Sequence, residues 1–200
     1  HIYEQGNPIY RVDCAVEFFD EVSRRYANEP GVLYEICNEP NGYTSWDDVY
    51  DYAEQVIPAI RKNSPDAIII VGTPEFSTDL EDAMERPLPY DNIMYAYHYY
   101  SGHTKGGFKE TLEKAKEAGF PVFISEWGIG KDTTSTILGR EYAEEFVAYI
   151  NSNGLSWANW SLCNKDETFS VIRPDVSKLS NWTYDELTVG GRIVFDALGG

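Results

Sequence analysis

Val32-Leu-Tyr-Glu-Ile-Cys-Asn38-Glu39-Pro40 is the stretch on which the fold turns. An apolar run that stops at a carboxylate reads as a buried strand delivering an acidic side chain to its C-terminal end. That is where an α/β barrel places catalytic groups. A second stretch, Pro121-Val-Phe-Ile-Ser-Glu126-Trp127-Gly128, repeats the pattern around Glu126. Two strand-end glutamates suggest a carboxylate pair, the apparatus of glycoside hydrolysis.

Working outward, five apolar runs read as strands: 32–37, 67–72, 93–98, 121–125 and 155–160. Ala67-Ile-Ile-Ile-Val71 is continuously apolar, as a strand covered on both faces must be. Helical patterns lie between most of the runs. Ala15, Phe18, Phe19, Val22 and Tyr26 share one helical face, as do Val49, Tyr52, Ala53, Val56, Ile57 and Ile60. Ser45-Trp-Asp-Asp48 reads as the N-terminal cap of the second helix, with acids in its first turn. Pro58 is expected to kink that helix or end it early. Further helices are expected over 108–118, around Tyr142–Ile150 and near 185–198, with a long loop over 73–92 that has room for one short helix. Strand–helix alternation implies a parallel sheet with right-handed crossovers. The fold class is therefore α/β, a partial (β/α)8 barrel of about five parallel strands, since a closed barrel needs eight strands and about 250 residues.

Bulk properties exclude several function classes. With 200 residues and 42% hydrophobic content, the chain can bury one substantial core and reads as a single domain over 1–200. No run of about 18 apolar residues offers a membrane span. A net charge of −17 opposes binding to nucleic acid or anionic membranes and suits a neutral substrate. The 15 tyrosines and 5 tryptophans supply either a Tyr-rich core or a cleft lined with rings. Three cysteines, Cys14, Cys37 and Cys163, leave at least one thiol unpaired within the chain, and no CxxC spacing points to structural zinc. Neither a metal nor an organic cofactor is implied. Asn159-Trp-Ser161 and Asn181-Trp-Thr183 fit the glycosylation pattern, but the first falls inside an expected buried strand, and both read as chance matches.

Four motifs in order carry a resemblance. Asn38-Glu39-Pro40-Asn41-Gly42, Tyr97-His98-Tyr99-Tyr100, Ile124-Ser-Glu126-Trp127-Gly128 and Trp157-Ala-Asn-Trp160-Ser161 resemble glycoside hydrolase family five, in particular its bacterial endoglucanases. The likeness runs from His1 to about residue 198. By it, His1 stands where the family's third strand ends, so the sequence corresponds to the last five-eighths of a barrel. Strands one to three, with the family's Arg and first cleft His, then lie outside it.

The resemblance implies a retaining mechanism, with Glu39 as acid/base and Glu126 as nucleophile. Their carboxyl groups would be about 5–5.5 Å apart. Glu39 would have to stay protonated while Glu126 is ionised, and Tyr100, with His98 as a second donor, would hold Glu126 charged. The resemblance also implies that His1, Asn38, His98, Tyr100, Trp160, Lys165 and Glu167 bind substrate, Asn38 at a sugar 2-hydroxyl and Trp160 by stacking. Phe76 falls near a spot where relatives carry Trp. Read from the residues alone, His98 and Trp160 are core side chains, and Lys165 and Glu167 a solvated loop.

The function so implied is a secreted endo-β-1,4-glucanase acting on β-glucan, and the excess of 33 acidic over 16 basic residues adds an expectation of salt tolerance. A mannanase or xylanase of the same family and a non-catalytic glucan-binding remnant are the alternatives. An N-terminal His can also chelate copper, as in β-sandwich monooxygenases, but strand–helix alternation opposes that fold. Open edges on the first and last strands would favour a homodimer.

Overall fold

The structure, a computed structural model, describes residues 6–104, 107–136 and 138–200. Five strands form one sheet in the order β1-β2-β3-β4-β5. They are β1 (Tyr34–Glu35), β2 (Ile69–Val71), β3 (Ile93–Tyr100), β4 (Val122–Gly128) and β5 (Trp157–Asn159). The β1–β2, β2–β3 and β4–β5 pairings are parallel. Helices α1 (Val12–Arg25), α2 (Trp46–Arg61), α3 (Pro74–Ser77), α4 (Glu81–Glu85), α5 (Ser101–Thr104), α6 (Phe108–Glu117), α7 (Arg140–Ser152) and α8 (Val189–Ala197) alternate with them. This is the unit plan of a (β/α)8 barrel, with five strands present. By internal contacts the chain forms two compact units, His1–Tyr97 with Glu113–Phe123, and His98–Leu112 with Ile124–Gly200.

In the first unit, α2 is the principal helix. Ser45 caps it, accepting from the Asp48 N–H while the Asp48 carboxylate accepts from the Ser45 N–H, a closed capping box. A cap of this kind is worth about 1 kcal/mol. Val49, Tyr52, Ala53, Val56, Ile57 and Ile60 are all buried, as their spacing predicts. Pro58 does not end the helix, which runs on to Arg61. Pro58 is on the exposed face, where water can satisfy the carbonyl its missing N–H leaves free. The α1 face is narrower than its periodicity predicts. Ala15, Phe19 and Ser23 are buried, whereas Phe18 is 58% and Tyr26 41% exposed. Tyr95 stacks on Phe120 at 4.1 Å and Trp46 lies against Tyr95 at 5.8 Å.

The second unit is built around rings. Tyr99 stacks on Phe146 at 4.0 Å, Phe108 meets Phe146 edge-on at 4.9 Å, and Trp127 approaches Trp157 at 5.7 Å. Ala143, Phe146, Val147 and Ile150 form the buried face of α7. Six of the 15 tyrosines are core: Tyr34, Tyr50, Tyr52, Tyr95, Tyr97 and Tyr99 are buried.

Strand lengths differ from the apolar runs. β1, β2 and β5 are shorter than 32–37, 67–72 and 155–160, while β3 and β4 extend beyond 93–98 and 121–125. Hydrophobicity marks burial, and a ladder needs a partner. β3 can continue through His98 and Tyr100, and β4 through Glu126, although these residues are polar. The 73–92 region holds two short segments, α3 and α4, rather than one.

Candidate active site

Glu39 lies in the loop after β1, half-buried. The β1 ladder persists to the Ile36 N–H, which donates to the Ile70 carbonyl at 3.0 Å. Beyond it the chain turns tightly against the end of β2 because residue 72 is glycine. A Cβ there would meet the Cys37 carbonyl oxygen at 2.8 Å and the Asn38 carbonyl oxygen at 2.9 Å. The loop's carbonyls are then tied down in succession. The Asn38 carbonyl accepts from Ser77 Oγ at 2.7 Å, that of Glu39 from Asn41 Nδ2 at 2.9 Å, and that of Pro40 from the Phe76 N–H at 2.9 Å. Two of these donors come from α3, where Glu75, Phe76 and Ser77 have φ of 52°, 61° and 57°. Left-handed backbone costs roughly 1–2 kcal/mol per non-glycine residue, so surrounding contacts must hold it. Such strain gathers at functional sites. Phe76 is 51% and Tyr43 fully exposed, leaving two bare rings on segments flanking Glu39. Cys37 is core, as its apolar run implies; burial pushes its thiol up to about 12.

Glu126 sits within β4, not at its end. Ile124 pairs with Trp157 and Trp127 with Asn159, so three steps on β4 span two on β5 and the strand bulges between them. A bulge re-aims side chains. His98 and Tyr100 share one face of β3 because they are two residues apart. Ser125 Oγ lies 3.0 Å from His98 Nε2, and the Tyr100 hydroxyl donates to Glu126 Oε1 at 2.5 Å. Two adjacent residues of β4 thus serve one face, as a regular strand could not allow. Trp127 takes the opposite side, packed with Phe146 and Trp157. Gly128 makes room for the Tyr100 ring, since a Cβ there would lie 2.7 Å from Tyr100 Cε1. Phe169 backs that ring at 4.8 Å.

The remaining expected site residues fall as follows. His98 is 2% exposed, with its Nε2 3.0 Å from Ser125 Oγ. Trp160 follows β5, 40% exposed, and its N–H donates to the Trp127 carbonyl at 2.8 Å. Lys165 is exposed and Glu167 half-buried in the loop beyond, where Glu167 Oε1 accepts from Cys163 Sγ at 3.9 Å. Burial raises the Cys163 thiol, but hydrogen bonds with Ser161, Ser170 and the Lys165 backbone leave it below its usual range. Asn38 is half-buried beside Glu39. His1 lies outside the described residues. The motif reading missed Ser77, Ser125, Gly72 and Gly128. The glycines were open to view, since Gly ending a strand marks a close backbone approach. Nothing in Ser77 announces a left-handed turn.

A phenolic hydrogen bond to a carboxylate oxygen favours the charged form of that group. A half-buried glutamate on a loop whose backbone is fixed can carry a proton to a bound group. Asn159 Nδ2 donates to the Trp127 carbonyl, so the Asn159 sequon is structural.

Residues 1–166 match the family model described as cellulase (glycosyl hydrolase family 5). Endoglucanase A of Butyrivibrio fibrisolvens is 42% identical over 190 residues, which cover 94% of this chain and 44% of that protein. The endoglucanase of Clostridium saccharobutylicum is 37% identical over 201 residues, covering 100% of this chain and 45% of that protein. The chain thus spans under half the length of these curated relatives. A variant of the Thermobifida fusca endoglucanase Cel5A catalytic domain, solved with cellotetraose, superposes with a TM-score of 0.88 at 32% identity, covering 98% of this chain and 66% of that one. On the family match and on these alignments, the chain belongs to glycosyl hydrolase family 5, the cellulase family.

Proposed function

We propose that this chain carries the catalytic carboxylates of a retaining endo-β-1,4-glucanase. The observation that supports it most is the Tyr100 hydroxyl on Glu126 Oε1 at 2.5 Å, inside the nucleophile-type motif. In the first step a carboxylate oxygen of Glu126 attacks the anomeric carbon. Glu39 donates its proton to the departing glycosidic oxygen. Glu39, now a carboxylate, then takes a proton from water, which attacks the same carbon and releases Glu126. Asn38 binds the neighbouring 2-hydroxyl, Trp160 offers its exposed face to a glucosyl ring, and His98, Lys165 and Glu167 help hold the sugar. That its relatives are named endoglucanases supports glucan, rather than mannan or xylan, as the substrate.

The test uses the intact protein. Glu126→Gln abolishes hydrolysis of carboxymethyl cellulose, and Glu39→Gln costs about 10²–10⁴-fold on poor leaving groups. The first product retains its anomeric configuration by NMR. An inverted product, or full activity in either variant, ends this reading.

Secretion and salt tolerance belong to the same proposal. Among the described residues no helix is long and apolar enough to cross a membrane. The charge of −17 is screened as salt shortens the Debye length from about 10 Å at 0.1 M to about 3 Å at 1 M. A neutral substrate does not compete for that screening, so activity holds or rises at molar sodium chloride. A steady fall in activity and thermal midpoint up to about 2 M salt would remove the idea. Self-association through β1 and β5, the end strands of the sheet order, is checked by sedimentation, where a clean monomer at micromolar concentration refutes it.

A further inference from the structure

We propose that Ser77 is a positioning residue for Glu39, acting through the main chain on either side of it; the proposal rests on the reading of Glu39 as acid/base. Ser77 is fully buried. Its hydroxyl donates to the Asn38 carbonyl at 2.7 Å and accepts from the Thr73 N–H at 3.3 Å. One residue earlier, the Phe76 N–H reaches the Pro40 carbonyl at 2.9 Å. A single turn thus grips the residue before Glu39 and the residue after it. That turn is left-handed at three successive non-glycine residues, with φ of 52°, 61° and 57°. A free turn of this composition would relax to the right-handed form. The bonds to the Glu39 loop oppose that relaxation, so loop and turn fix one another.

A general acid must meet the leaving oxygen within a few tenths of an ångström, and a group displaced by about 1 Å loses roughly a hundredfold. A grip on both flanking carbonyls sets the Glu39 backbone without touching its carboxyl group. Its loss should therefore appear in kcat/KM where proton donation to the leaving group limits the first step. A merely structural serine would lower every rate together.

The experiment compares Ser77→Ala, Ser77→Gly and Glu39→Gln with the parent in the intact protein. Glycine accepts the left-handed φ yet lacks the hydroxyl, so Ser77→Gly keeps the turn and removes only the grip. Two substrates share a cellobiosyl donor: a dinitrophenyl glycoside, whose leaving group needs no proton, and an unactivated cello-oligosaccharide. Both serine variants should lose about 10–100-fold in kcat/KM on the oligosaccharide and stay within about twofold on the dinitrophenyl substrate. Equal losses on both substrates, or no loss on either with Ser77→Gly, overturn the proposal. If Glu39→Gln shows the split and the serine variants do not, only the positioning role fails. If Glu39→Gln shows no split, the acid/base reading itself fails.

Discussion

The loop that carries Glu39 and the strand that carries Glu126 fix a glutamate in opposite ways. Around Glu39 the constraints fall on the backbone: three consecutive carbonyls are tied by Ser77, Asn41 and Phe76. Around Glu126 the backbone is ordinary strand with one bulge, and the constraint falls on the carboxylate itself through Tyr100. A group that gives and takes a proton needs a fixed base. A group that attacks carbon needs its end aimed and its charge preserved. Under the proposed roles, each region constrains the part of its glutamate that the role requires.

The largest expected effect comes from cutting the side-chain constraint. Tyr100→Phe removes a hydrogen bond to a charged group, worth about 1.5–3 kcal/mol. We expect kcat/KM to fall by about 10–150-fold, since each 1.4 kcal/mol is tenfold. The acid limb of the pH profile moves upward, because the carboxylate loses a donor that favours its ionised form. An unmoved limb would mean that the phenol does not tune Glu126.

Next come the two glycines, one per region. Gly128→Ala forces the Tyr100 ring to shift, and Gly72→Ala forces backbone carbonyls apart. Overpacking costs about 1–3 kcal/mol. A ring swings more easily than two carbonyls separate, so Gly72→Ala should lower the thermal midpoint more, and Gly128→Ala should reproduce part of the Tyr100→Phe profile. Reversed midpoints would show the Glu39 loop to be the softer region.

The smallest effect tests the strained turn. Glu75 is exposed at φ 52°. Glu75→Gly relieves roughly 1–2 kcal/mol of left-handed cost and adds about 0.5–1 kcal/mol of unfolded-state entropy. The balance is a gain near 0.5–1 kcal/mol, a rise of about 1–4 °C in midpoint. A loss of stability would mean that the Glu75 side chain contributes to the turn.

A capped amphipathic helix is written in local spacing. Ser45, Asp48 and the face from Val49 to Ile60 sit as their pattern predicts, with Pro58 harmless because it lands on the solvent side. The α1 pattern misled at Phe18 and Tyr26 because periodicity names a face and not what covers it. Strand–helix alternation and the glutamates' motifs are likewise local and were legible, as was the family. Burial by neighbours distant in sequence was not: it extends β3 and β4 past their apolar runs, and it makes six tyrosines core. What the sequence by itself determined was which residues are available and in what order they meet the sheet, because both follow from short-range periodicity and motif spacing. What only the tertiary structure decided was how they are aimed. The bulge at Ser125 and Glu126, the left-handed turn at Ser77 and the ring space at Gly128 each depend on a partner segment at least 25 residues away, as the 26-residue gap between Tyr100 and Glu126 illustrates, and no local pattern encodes a register set by such a partner.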